Sequence, residues 1–253
     1  MTTGPLVIGA TGGSGTRVVA RLARHAGCDL GRNLNSAGDA LEFYSFHDKW
    51  INRVLLAERH GKALSKSDAE WMEADFQSAL NRHCPETIRK ERCWGWKAPR
   101  SIYLLRFLYA RQPGLKFIHV LRDGRDMALS ANQVQLRKHG AAVLTLGERV
   151  FHSVPERSLL LWARVNLHAA KYGESELREN YLCVRFEDLC AKPIETTSKI
   201  INFLGARVDP EPIARSEITP PSTLQRWRNH RPTLITKLEE LGRDSLLKFG
   251  YLA

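Results

Sequence analysis

The chain has 253 residues, 43% of them hydrophobic, and a formal net charge of +11 at pH 7; this length buries roughly 70–75% of its unfolded surface without covalent staples. No stretch approaches the roughly 18 apolar residues of a membrane-spanning helix, and the start, MTTGPLVIG, lacks a basic segment followed by a long apolar one, so a soluble protein is expected. The basic residues are spread along the chain with no aromatic-interleaved module among them, which favours a polyanionic small ligand over nucleic acid.

Leu6, Val7 and Ile8 form a short apolar run before the glycines of GATGGSGT, as expected of a buried parallel strand. Val18, Val19, Leu22, Ala23 and Ala26 follow at helical spacing, with Gly27 as a stop. Gly12 to Thr16 therefore lie where strand turns into helix, and their backbone N–H groups make an anion site. The loop departs from the nucleotide-hydrolysing pattern G-x-x-x-x-G-K-[ST], because Arg17 follows Gly15 and Thr16 and the lysine is missing.

Next comes GRNLNSAGDALEFYSFHDKW, which offers Asp39, Glu42 and His47 near a polar approach through Asn33 and Asn35. Asp39 and Glu42 are three apart and are expected to share a helix face. Ser67 with Glu70 is expected to cap a helix near Asp68 to Arg82, and Ser153 with Glu156 one that runs towards Gly173. A third helix begins at Pro193 and ends at Gly205. CWGWK (Cys93 to Lys97), KFIHVL (Lys116 to Leu121) and YLCVRF (Tyr181 to Phe186) read as further strands. Strands alternating with helices predict a parallel sheet covered on both faces. With no internal repeat or low-complexity linker, one domain over 1–253 is expected.

Arg122 stands at the end of the KFIHVL strand with Ser130 eight residues on. In a parallel α/β sheet ligands sit beyond the strand ends, so Arg122 and the glycine loop can grip two ends of one molecule; the plain alternative is an ion pair of Arg122 with Asp123 or Asp126. Trp71, Trp94, Trp96 and Trp162 read as core or pocket wall. Five cysteines without a C-x-x-C pair point to neither a disulfide framework nor a zinc ribbon, and hence to a reduced cytoplasmic setting. The nine histidines show no metal-binding spacing, so no metal is expected.

Taken together, GATGGSGT, the block WKAPRSIYLLRFLYARQPGLKFIHVLRDGRDMALS, and YLCVRFEDLCAKPIETTSKIINFLG resemble the sulfotransferases that use 3′-phosphoadenosine 5′-phosphosulfate (PAPS), in the style of their bacterial and protein-tyrosine members. The resemblance implies a three-layer α/β fold of the P-loop NTPase type, with a central parallel sheet flanked by helices. It also implies sulfuryl transfer from PAPS, without a metal, to a hydroxyl of a small molecule, carbohydrate or lipid. By this likeness Gly12, Gly13, Ser14, Gly15 and Thr16 belong to the loop around the 5′-phosphosulfate, with Arg17 beside it, and Arg122 and Ser130 hold the 3′-phosphate. Lys97 of WKAPR matches the lysine that points at the transferring sulfonate, and Arg100 shares that role or meets substrate. The base is a carboxylate, Asp39 ahead of Glu42. Ser222, Arg226 and Arg228 of PPSTLQRWRN stand where relatives return to the nucleotide. The sequence departs from the family in having Gly13 where a lysine or arginine precedes S-G-T. The other readings are a P-loop kinase, disfavoured by the missing lysine, and a nucleotide-binding protein without catalysis.

Overall fold

Side chains of β1 (Leu6–Gly9) alternate between two apolar layers, Val7 into one and Leu6 and Ile8 into the other, which is what a strand covered on both faces requires. A computed structural model describes residues 4–85 and 93–252. In it β1, β2 (Gly95–Lys97), β3 (Lys116–Leu121) and β4 (Tyr181–Arg185) form a parallel four-stranded sheet in the order β2-β1-β3-β4. The order reverses at β1, so the crevice beyond its C-terminal end is the place for a ligand.

In chain order the helices described are α1 (Thr16–His25), α2 (Tyr44–Arg59), α3 (Lys66–His83), α4 (Leu105–Arg111), α5 (Gly124–Ala128), α6 (Val134–Val143), α7 (Leu146–Phe151), α8 (Val154–Tyr172), α9 (Phe186–Ala191), α10 (Pro193–Leu204), α11 (Pro210–Glu217), α12 (Pro232–Leu241) and α13 (Arg243–Lys248). Phe46 and Trp50 of α2 and Met72 and Phe76 of α3 pack with Val7, Trp96 and Phe117 on one face. Val19 and Leu22 of α1 and Ile200 of α10 pack with Leu6, Ile8, Ile118 and Val120 on the other. A third cluster seats α12 and α13 on α8 through Leu159, Trp162, Leu238 and Leu246. The fold is the three-layer, P-loop NTPase-like arrangement expected.

All four expected strands and the helices opening at Ser153 and Pro193 are present, the first with its capping box and the second ending on a left-handed Gly205. Three expectations are corrected. Helix α3 is capped by Ser65, not Ser67: the Ser65 hydroxyl accepts from the Asp68 N–H at 3.1 Å, and Ser67 instead bonds to that hydroxyl. Trp71 is 63% exposed, whereas Trp94, Trp96 and Trp162 are buried. Cys28 and Cys93 are joined in a disulfide; a bridge between Asp29 and Trp94 lays the end of the α1 turn beside the approach to β2 and brings the two preceding residues together. No helix among the described residues is long and apolar enough to cross a membrane.

Candidate active site

The loop between β1 and α1 turns on two glycines in the left-handed region, Gly13 at φ 82° and Gly15 at φ 85°. Gly15 is required twice over: a Cβ there would stand 2.1 Å from the Phe186 ring. At Gly13 a Cβ would stand 3.5 Å from Met127, an ordinary contact, so what disfavours a side chain there is the left-handed backbone. The Ser14 hydroxyl donates to the Thr11 carbonyl and braces the loop from inside. Helix α1 carries no acidic residue in its first turn, leaving the positive end of its dipole without an internal counter-charge.

Beside this loop lies a cavity of about 560 Å³, lined by Thr11 to Arg17 and, across from them, by Asp39, Tyr44, His47, Lys97 and Arg100. Lys97 ends β2 and is 2% exposed. Its ammonium donates to the Ala37 carbonyl at 2.9 Å and pairs with the Asp39 carboxylate. The segment bearing Asp39 is stitched to that strand end by the Ala40 N–H, which donates to the Lys97 carbonyl at 2.9 Å. The other Asp39 oxygen accepts from Tyr44 at 3.1 Å and from Asn35 at 3.2 Å. Burial holds the Lys97 pKa below the usual lysine value, and the charge of Arg17 adds to this while Asp39 opposes it. Burial and the neighbouring Asp39 charge raise that of Tyr44, which keeps its hydroxyl a donor. His47 is buried, its Nδ1 has no hydrogen-bond partner, and burial, with the charge of Arg100, pushes its pKa down to about 3, so the ring is neutral.

Asp39 and Lys97 are thus brought together, but Glu42 is not. Asp39 belongs to a turn in which its N–H bonds to the Asn35 side chain, ahead of a 3-10 turn over Leu41–Phe43, so the two carboxylates do not share a helix face. Glu42 faces α3, 3.2 Å from His83 Nδ1, and does not line the cavity. Arg100 does line it, its guanidinium over the Tyr44 ring at 5.3 Å.

Arg122 emerges from β3, 4% exposed, and is already engaged: it donates to Asp126 at 2.8 Å and to the Thr223 carbonyl, 5.6 Å over the Phe186 ring. The ion pair with Asp126 weighed from the sequence is therefore present. Ser130 accepts from the Asn132 N–H at 3.2 Å, and neither Arg122 nor Ser130 is among the cavity-lining residues. Asp126 also accepts from the backbone N–H groups of Gln225 and Trp227 at 2.8 and 3.2 Å, tying the late segment across Arg122. In that segment Thr223 rather than Ser222 meets Arg122, and Arg228 stacks on Trp227. The second arginine of the RDGRD run is structural: Arg125 pairs with Asp123 and Glu239 and lies 3.8 Å over Trp227.

Sequence reasoning missed Tyr44, Gln135 and Lys138 as cavity residues. Gln135 accepts from Tyr103 at 2.8 Å and stands over Gly12; neither it nor Lys138 belongs to a motif, and only the packing of α6 beside α2 brings them in. Among the described residues no group of three or more His, Cys, Asp or Glu is placed to hold a metal ion.

Comparison with solved structures finds the same fold in the sulfotransferase domain of the Synechococcus PCC 7002 olefin synthase, 16% identical with a TM-score of 0.57 over 99% of this chain and 97% of that one. A sulfotransferase from Alicyclobacillus acidocaldarius is 16% identical with a TM-score of 0.53 over 96% and 93%. Retinol dehydratase, solved with androsterone and the inactive cofactor PAP, is 14% identical with a TM-score of 0.51 over 96% and 80%. No curated protein sequence matches. The model of the sulfotransferase family matches residues 5–210, most of the chain and every element around the cavity, and the chain belongs to that family.

Proposed function

We propose that the chain transfers the sulfuryl group of PAPS to a hydroxyl of a small-molecule, carbohydrate or lipid acceptor, in one cavity between the α1 loop and the Asp39–Lys97 pair. The juxtaposition of that pair with a helix N-terminus is the observation that carries the reading. The residues beside the loop fit a polyanionic nucleotide: Arg17 and Lys97 line the cavity there, and among the described residues Asp39 is the one acid in its lining. A neighbour in the family fold is crystallised with PAP. When bound, PAPS supplies an activated sulfuryl group whose transfer leaves negative charge on the departing phosphate.

The chain's own groups do the rest by positioning and electrostatics. N–H groups of Gly12 to Thr16 and the Arg17 side chain hold the 5′-phosphate. Asp39 takes the acceptor's proton, oriented by Tyr44 and Asn35 on its second oxygen. Protonation of Asp39 removes the counter-charge of Lys97 and frees the ammonium for the charge that develops opposite, the service that Gly13 cannot perform. Arg122, with Ser130, serves a 3′-phosphate by exchanging the Thr223 carbonyl for it.

A protein that binds the nucleotide without turnover is the second reading, favoured by the glycine at 13 where the family has a cation. The test is incubation with PAPS and a small-molecule extract of the source cells, followed by mass spectrometry. A sulfonated product supports transfer; PAP binding with no product supports the second reading.

A further inference from the structure

Two of the four cations that line the cavity, Arg100 and Lys138, are not among the groups assigned above to the nucleotide. Lys97 feels the charge of Arg17 beside the loop, whereas Arg100 and Lys138 are joined to each other through Asp48. Both donate to the same oxygen of Asp48, Lys138 at 2.6 Å. One carboxylate that is about half exposed therefore serves two cations, and the trio keeps a net positive charge on the cavity wall. Arg100 is the desolvated member, its side chain 11% exposed and its guanidinium laid on the Tyr44 ring. The backbone under Lys138 is fixed as well: Asn52 of α2 donates to the Lys138 carbonyl at 2.9 Å and pairs with His139 at 2.8 Å.

Tyr44 links this pair to the reacting end. Its hydroxyl bonds to Asp39 and its ring carries Arg100, so the general base and the cation pair stand on either side of one tyrosine side chain. Among the described residues Asp39 is the one acid that lines the cavity. His47, neutral, buried and with a ring nitrogen unpartnered, lines the same stretch as a hydrogen-bonding group without a charge.

We infer that the acceptor is itself an anion: a compact hydroxylated molecule whose carboxylate, phosphate or sulfate group is gripped by Arg100 and Lys138 while its hydroxyl meets Asp39. The inference rests on the transfer reading above and narrows its acceptor. An anionic group at this point completes the half-met cation pair, and its bidentate fit to a guanidinium backed by an aromatic ring sets how far the hydroxyl reaches. A cationic acceptor is repelled by the same surplus, and a neutral one leaves it unanswered.

The test splits a small-molecule extract by anion exchange and offers the retained and unretained fractions separately, with PAPS, to the full chain. The sulfonated product is expected from the retained fraction. Arg100→Ala with Lys138→Ala should raise the apparent KM for that fraction at least about tenfold, as loss of charge-assisted contacts does, while PAP affinity stays within about threefold. Lys138→Ala alone, on a side chain 42% exposed, serves if the double variant does not fold, and should move KM in the same direction. A product from the unretained fraction alone, an unchanged KM, or a fall in PAP affinity matching the rise in KM overturns the inference while leaving transfer standing. No product from either fraction with PAP still bound overturns the transfer reading and the acceptor class with it.

Discussion

The loop at the head of α1 presents backbone donors and a helix dipole with no acid in its first turn, whereas Arg122, at the end of β3, meets Asp126 and the Thr223 carbonyl before any ligand arrives. One end is ready for an anion as it stands. The other must give up a partner to take one, so a contact there returns only the difference between two hydrogen-bonded states. The contrast shows how two candidate anion-binding elements can differ in worth: readiness depends on what else in the chain has claimed the donor.

The largest effect that bears on this contrast belongs to the cavity side. Asp39→Asn should cut turnover at least about a hundredfold, the usual worth of a general base, with PAP affinity within about threefold. A single-turnover rate near that of the wild type would move the base elsewhere. Next is the loop itself. Gly15→Ala places a methyl group against Phe186 at a backbone angle that alanine resists, and should cost about 2–3 kcal/mol, read as reduced denaturant stability together with weakened PAP binding.

Smaller is Arg122→Ala. Asp126 keeps the Gln225 and Trp227 N–H donors, so the fold should persist and PAP binding should weaken by about tenfold, below the full value of a charge-assisted bond. Adenosine 5′-phosphate, which lacks the 3′-phosphate, should bind as before; an equal loss for both ligands would remove Arg122 from the 3′-phosphate. The smallest change at neutral pH is Lys97→Arg. Because burial depresses the Lys97 pKa, the rate should fall as pH rises through a value below that of an ordinary lysine, and the arginine variant, still protonated there, should carry activity to higher pH. The same depression means that the unfolded chain binds the proton more tightly between the two pKa values, so stability should rise with pH across that interval.

Period-2 and helical patterning made the strands, the α1 loop and the helices opening at Ser153 and Pro193 legible, since burial on one or two faces leaves a periodic trace. Asp39 and Lys97 were legible only as separate candidates; their pairing depends on the Ala40 to Lys97 backbone bond, a contact across 57 residues that no local pattern encodes. Glu42 was misread because helical spacing was assumed where the chain makes a turn. The cap of α3 slipped by two residues because two serines compete and both satisfy the composition rule. The Cys28–Cys93 bond escaped notice because counting cysteines says nothing about which strand ends adjoin.

Phe186, buried at the start of α9, touches both ends of the site: its ring fills the gap left by the missing side chain of Gly15 and lies beneath the Arg122 guanidinium. If the loop and Arg122 hold the two ends of one nucleotide as proposed, this one ring sets the interval between them. Such a part works as a gauge. A ligand whose two charged groups are closer together or farther apart would then satisfy one of them but not both, so the length of the molecule, and not only its charge, would be measured by one aromatic ring.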